Sequence, residues 1–182
     1  MGRFVFFVSL LLISLLCLSC GKKSARFPSP PVPADLTLHR ARDDEDLARI
    51  AQNARDTLPV FFRRLQTPLS GDGNFRLKYP LAADPRSGFS REQVWLMDIR
   101  FKDSVYSGVL ANTPYYVSGV ARGERINFNI EEITDWMFTW EEKIIGGFSI
   151  KYLLEQIPEY ERDEEQRRIL GMFDWEARAA PR

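Results

Sequence analysis

Between residues 75 and 150 the chain runs through short apolar stretches separated by turns, and no long helical pattern separates them. Parallel strand neighbours need a connection of a dozen or more residues, usually helical. The spacing therefore predicts an antiparallel, strongly bent sheet. Its clearest pair is 94–101 and 105–110, joined by Lys102, Asp103 and Ser104 as a hairpin. In the first of these runs Trp95, Met97, Ile99 and Phe101 alternate with Leu96, Asp98 and Arg100, which predicts one apolar side and one mixed side. Residues 75–80 and 125–130 read as further short strands. The segment "ANTPYY", with Asn112 and Pro114, turns the chain, and proline fixes the geometry there. Residues 131–135 read as a helical turn. Residues 136–140 and 143–145 pair around Glu141 and Glu142.

One clear helix precedes these strands, over 43–66. Asp43 or Asp44 can cap it, and Glu45 and Asp46 suit its positive end. Leu47, Ile50, Ala54, Leu58, Phe61 and Leu65 recur at three- and four-residue steps and form one apolar face. Pro59 lacks a donor in mid-run and predicts a kink or a break. Residues 148–157 read as a last strand or as a helix leading out. Pro158 then opens a charged segment that ends near Gly171 and reads as a solvated helix. Met172, Phe173 and Trp175 are expected to fold back onto the domain. The fold class is α+β: an N-terminal amphipathic helix on a small, bent, mostly antiparallel sheet, with a charged C-terminal helix.

The N-terminus reads "MGRFVFFVSLLLISLLCLSCGKK". Arg3 gives a positive start, and the apolar run that follows is shorter than the ~20 residues a spanning helix needs. It fits the hydrophobic region of a secretory signal, and an uncleaved anchor is the alternative. The run ends in Leu18, Ser19, Cys20, Gly21, which resembles a bacterial lipoprotein cleavage site, although Cys17 stands where such sites usually have leucine. The resemblance implies lipid on Cys20 and, because no aspartate follows, placement in the outer membrane facing the periplasm. The chain thus divides into a signal peptide (1–19), a lipidated start and proline-rich linker (20–42), an α+β domain (43–157) and a charged helix and tail (158–182). The linker "GKKSARFPSPPVPA" extends at about 3 Å per residue and sets the domain ~40 Å from the bilayer.

Composition narrows the chemistry. Cys17 and Cys20 are the two cysteines of the chain, so a C-x-x-C metal or redox reading competes with the lipoprotein reading only inside the leader. The domain carries neither a cysteine nor a histidine, since the single histidine is His39 in the linker. Zinc ligation of the usual kind and serine–histidine catalysis are excluded on that count. No phosphate-binding glycine loop, dinucleotide fingerprint or G-x-S-x-G occurs, and no cofactor is expected. Basic and acidic residues balance at 25 each, which gives no electrostatic case for nucleic acid. Paired carboxylates among Asp98, Glu131, Glu132 and Asp135 are the residual catalytic option.

The stretch "ITDWMFTWEEKIIGGFSI" sets Asp135 against Trp136 and ends in Gly146 and Gly147. An acid beside a tryptophan can be a buried carboxyl with a raised pKa, a catalytic device. It can equally cap backbone donors at a strand entry, with Trp136 in the core and the glycines allowing close approach. The residues favour this structural reading. Together with "ARDTLPVFF", "VWLMDIRF", "VLANTPYYV" and "GERINF", in that order over about 50–153, the stretch resembles the YegJ-like bacterial family known as domain of unknown function 2314. Phe148–Ser149 stands where that family commonly has a tyrosine–threonine pair, and the loop around 84–90 is long. The resemblance carries no activity and no catalytic residues.

The expected function is a non-enzymatic envelope lipoprotein that binds a protein or ligand, with an immunity- or inhibitor-like role as its sharper form. The partners are the membrane, through the lipid, and an envelope protein. A structural, peptidoglycan-associated role is the alternative, and a carboxylate hydrolase is the third reading.

Overall fold

The computed structural model describes residues 45–174. The leader, Cys20, the linker, His39, the candidate caps Asp43 and Asp44, and Trp175 lie outside the described residues.

Helix α1 spans Glu45–Gln66, with Glu45 and Asp46 in its first turn and Arg63 and Arg64 in its last. Ala54, Leu58 and Phe61 are buried. The break expected at Pro59 does not occur, because the helix runs through it. Pro59 is exposed, so water can serve the carbonyl that loses its donor. The buried positions on either side, Leu58 and Phe61, hold the helix down.

The sheet strands are β1 (Asp72–Ala82), β2 (Arg91–Lys102), β3 (Val105–Leu110), β4 (Arg125–Phe128), β5 (Asp135–Trp140) and β6 (Lys143–Gly146). Their spatial order is β4-β3-β2-β1-β5-β6, and every neighbouring pair is antiparallel. Two short 3₁₀ turns, Ile130–Glu132 and Glu159–Glu161, and two helices, α2 (Phe148–Glu155) and α3 (Glu164–Met172), complete the described chain. The fold is α+β. Residues 148–155 are thus helical where strand or helix had been open for 148–157.

The even alternation expected in β2 fails. Trp95 joins a cluster on one face, while Leu96 and Ile99 pack on the other. Phe101, expected on the apolar side with Trp95, is 62% exposed. The cause is local. The β2–β3 register shifts between Met97 and Arg100, and Asp98 there has a φ of 47°. A bulge of this kind inserts an unpaired residue and reverses which way later side chains point.

Both faces of the sheet are covered. On one, α1 lays Ala54, Leu58 and Phe61 against Leu77, Leu96, Trp136, Phe138 and Ile145. On the other, α2 and α3 bring Ile150, Leu154 and Ile169 onto Trp95, Met137 and Ile144. The charged segment after Pro158 is not one helix. It starts with a 3₁₀ turn, and α3 begins only after Asp163, whose side chain accepts from the Gln166 N–H in a reciprocal capping box. Gly171 lies inside α3, not beyond it, and Ile169 is buried. Met172 and Phe173 do fold back: both pack with the second cluster, and Phe173 forms an isolated parallel bridge with Ile144.

Candidate functional site

The glycine pair closes β6 and starts α2. Gly146 and Gly147 have φ values of +78° and +68°, in the left-handed region that glycine adopts without strain. Gly147 is the N-cap of α2 and has no side chain with which to cap it. The first N–H groups of the helix therefore need acceptors from elsewhere. Asp135, across the sheet on β5, supplies them. Its Oδ1 accepts from the Phe148 N–H at 3.2 Å, and its Oδ2 from the Ser149 N–H at 2.8 Å and the Ser149 hydroxyl at 2.5 Å. Oδ1 also accepts from the N–H of Trp136 at 2.8 Å. This carboxylate is fully buried.

A lysine completes the group. Lys78 on β1 pairs with Asp135 in the strand register and donates from Nζ to the Ser149 hydroxyl oxygen at 3.0 Å. Its Nζ also lies 5.6 Å from the ring centroid of Trp95. Burial pushes the Asp135 carboxyl above its ordinary range, while the Lys78 charge and the hydrogen bonds from Ser149 and Trp136 pull it down. Burial likewise pulls Lys78 below its ordinary value, and the Asp135 charge opposes that. The hydroxyl thus sits between a buried cation and a buried anion, and the anion also anchors a helix N-terminus.

Trp136 locks the same unit from the other face. It is fully buried, and its indole N–H donates to the Ala54 carbonyl at 2.9 Å and the Thr57 hydroxyl at 3.2 Å on α1. Its own carbonyl accepts from the Gly147 N–H at 2.7 Å. A Cβ on Gly146 would fall 2.3 Å from that carbonyl and 2.7 Å from the indole ring. A Cβ on Gly147 would fall 2.9 Å from the Phe173 ring. Asp135, Trp136, Gly146 and Gly147 are thus brought together, and the contacts of Trp136 with the two glycines join β5 to β6 and to the start of α2.

Asn112 and Pro114 lie apart from them, in the loop after β3. Asn112 Oδ1 accepts from the Trp95 N–H at 2.7 Å, and Pro114 is buried. Sequence reasoning passed over Lys78 and Ser149, and also Glu92, a buried carboxylate that accepts from the Tyr115 and Tyr116 N–H groups. It also passed over the pair of Arg64 with Asp72, which ties the end of α1 to β1, Arg64 Nε lying 2.9 Å from Asp72 Oδ2. Polar residues in an alternating strand usually face water, and nothing local to Lys78 shows otherwise; its partner Ser149 lies 71 residues downstream. Among the described residues no cluster of His, Cys, Asp and Glu is placed to hold a metal, and no helix is long and apolar enough to cross a membrane.

A family profile described as "Uncharacterized protein conserved in bacteria (DUF2314)" matches residues 44–173. The chain belongs to this family. It is 33% identical over 96 residues to uncharacterized protein YegJ of Escherichia coli K12, covering 53% of this chain and 60% of that protein. It is also 33% identical over 125 residues to a putative ankyrin repeat protein of Neisseria meningitidis serogroup B, covering 66% of this chain and 49% of that protein. The chain therefore spans about half to three-fifths of the length of these curated relatives. No solved structure matches it.

Proposed function

We propose that this chain is a non-enzymatic binding module of the bacterial envelope, held by lipid on Cys20 at the periplasmic face of the outer membrane. The observation that carries the binding role is the use made of the polar signature. Both Asp135 oxygens, the Ser149 hydroxyl and the Lys78 ammonium bond to one another or to the start of α2, deep in the domain. A few large apolar side chains face outward instead. Phe101 and Val105 are 62% and 44% exposed at the tip of the β2–β3 hairpin. The Tyr106 ring stands 4.6 Å from that of Phe101 and 5.6 Å from that of Phe62 on α1. Exposed aromatic patches of this sort mark interaction surfaces. The Neisseria relative's name adds weight, since ankyrin repeats are stacked units with extended binding surfaces. In its sharper form the role is immunity- or inhibitor-like, the lipid placing the domain where an incoming protein arrives.

The test is cross-linking in living cells followed by purification of the tagged full chain from membranes. One envelope protein should be retained, and Phe101→Ser should release it without lowering the melting temperature. Retained wall fragments would favour a structural role instead. Turnover of a substrate that Asp135→Asn abolishes would establish a hydrolase and end the non-enzymatic reading. Palmitate-analogue labelling of the same chain should disappear in Cys20→Ala, and persistent label would remove the lipid from the proposal.

A further inference from the structure

The loop between β3 and β4 is held by two carboxylates. Glu92, 2% exposed, accepts from the Tyr115 N–H at 2.8 and 3.0 Å and from the Tyr116 N–H at 2.6 Å. Asp84 accepts from the Ser118 N–H at 3.1 Å and its hydroxyl at 2.9 Å, and donates its own N–H to the Tyr116 carbonyl at 2.6 Å. Burying a carboxylate is costly unless its hydrogen bonds are made. Here those bonds fix the backbone of one loop. That loop nonetheless turns Tyr115 outward, 67% exposed, beside Tyr116, whose ring lies 4.6 Å from that of Phe89. Rigid backbone carrying an exposed aromatic loses little freedom on binding.

We propose that Tyr115, Tyr116 and Phe89 form a platform for a proline-rich segment in the polyproline II conformation, and that its resident occupant is this chain's own "FPSPPVP", residues 27–33. Polyproline II helices are recognised by aromatic surfaces, with little entropy to lose because the helix is preformed. The segment is uncharged, as is the ring surface that would take it. Reach is sufficient. The chain between Pro33 and Glu45 spans up to about 40 Å when extended. A domain of this size has a radius of gyration of only about 14 Å. Tethering gives an effective concentration near millimolar, so weak intrinsic affinity is enough. Docking would convert the expected spacer into a strap that draws the domain toward its anchor. The inference stands apart from the hairpin-tip surface.

The test places a photo-cross-linker in the full chain as Val32→benzoylphenylalanine and maps the adducts. Intramolecular adducts should concentrate on the peptide that contains Tyr115 and Tyr116. Tyr115→Ala should lower their yield roughly fivefold or more, the loss expected on truncating an anchoring aromatic. Tyr115→Phe should keep the yield, and Phe101→Ser should leave it unchanged. A melt of Tyr115→Ala close to wild type shows that the fold survives the change. Adducts scattered over the domain, or indifferent to Tyr115→Ala, would overturn the proposal. Adducts to a second copy or to another protein would overturn the intramolecular occupant.

Discussion

Asp135 carries three jobs with two oxygens. It receives the first N–H groups of α2, holds the Ser149 hydroxyl, and balances the charge of Lys78. Asp135→Asn leaves Lys78 buried without its counter-charge and turns an amide donor toward other donors. Breaking a buried pair from one side typically costs about 3–5 kcal/mol. A loss of roughly 2–4 kcal/mol in urea unfolding is expected here, since Asn keeps the shape and one acceptor. Gly146→Ala should cost at least about 3 kcal/mol, because its Cβ meets backbone and indole at sub-contact distance in a left-handed conformation. A different acid gives the pH dependence. Glu132 is held below the ordinary carboxyl range, first by the hydrogen bond from the Tyr79 hydroxyl at 2.8 Å and then by Arg91. A depressed pKa in the folded state means stability that is present above the unfolded value and lost as pH falls through the folded one. The stability gap between wild type and Glu132→Gln should therefore close as the protein is acidified through the carboxylate range, and a gap that widens would contradict the assignment. At this scale the sequence showed Asp135 at a strand entry and Trp136 in the core. It could not show Lys78, because a lysine in an alternating strand looks solvated until the helix that covers it is placed.

At the level of elements, local pattern was most legible where the backbone is regular. The single helix before the sheet, the β2–β3 hairpin and the pairing of β5 with β6 all follow from spacing and turn residues. It was least legible where one residue changes direction. The bulge at Asp98 swaps the faces of β2, and nothing in "VWLMDIRF" distinguishes a bulged residue from a paired one. The start of α3 depends on the reciprocal cap between Asp163 and Gln166, which competes with the stronger-looking proline signal at Pro158. Pro59 is the other case. It was expected to kink or break α1; the break does not occur, and α1 continues through it with Pro59 in solvent. A mid-helix proline costs about 3 kcal/mol relative to alanine in a free helix. Pro59→Ala restores a donor and removes the ring, so it should raise stability by roughly 1–3 kcal/mol in denaturant unfolding. A loss would mean that the proline shapes α1 for packing.

On the scale of the whole molecule, the signature stretch is where α1, the sheet and α2 are fastened together. Trp136 reaches α1 with its indole N–H, Asp135 caps α2, and the glycines let β6 turn directly into that helix. The antiparallel α+β class was legible because no helical pattern separates the strands, whose connections are turns and loops. The double layering was not, because residues 148–157 read as a last strand or a helix leading out and the segment after Pro158 as a solvated helix, whereas Ile150, Leu154 and Ile169 bury the second face. A chain starting at Arg42 should still melt cooperatively, within about 2 °C of the longer chain, since a weakly docked segment adds only tenths of a kcal/mol. A drop of several degrees would show that the linker packs as part of the core. The central claim is that the Asp135–Trp136 stretch holds the fold together and is not a binding surface, and unfolding of Trp136→Ala in denaturant, with no partner present, tests it most directly. The account predicts a loss of about 3–5 kcal/mol, the range for truncating a buried large aromatic. Near-wild-type stability, with loss of a partner that the native chain retains, would contradict it.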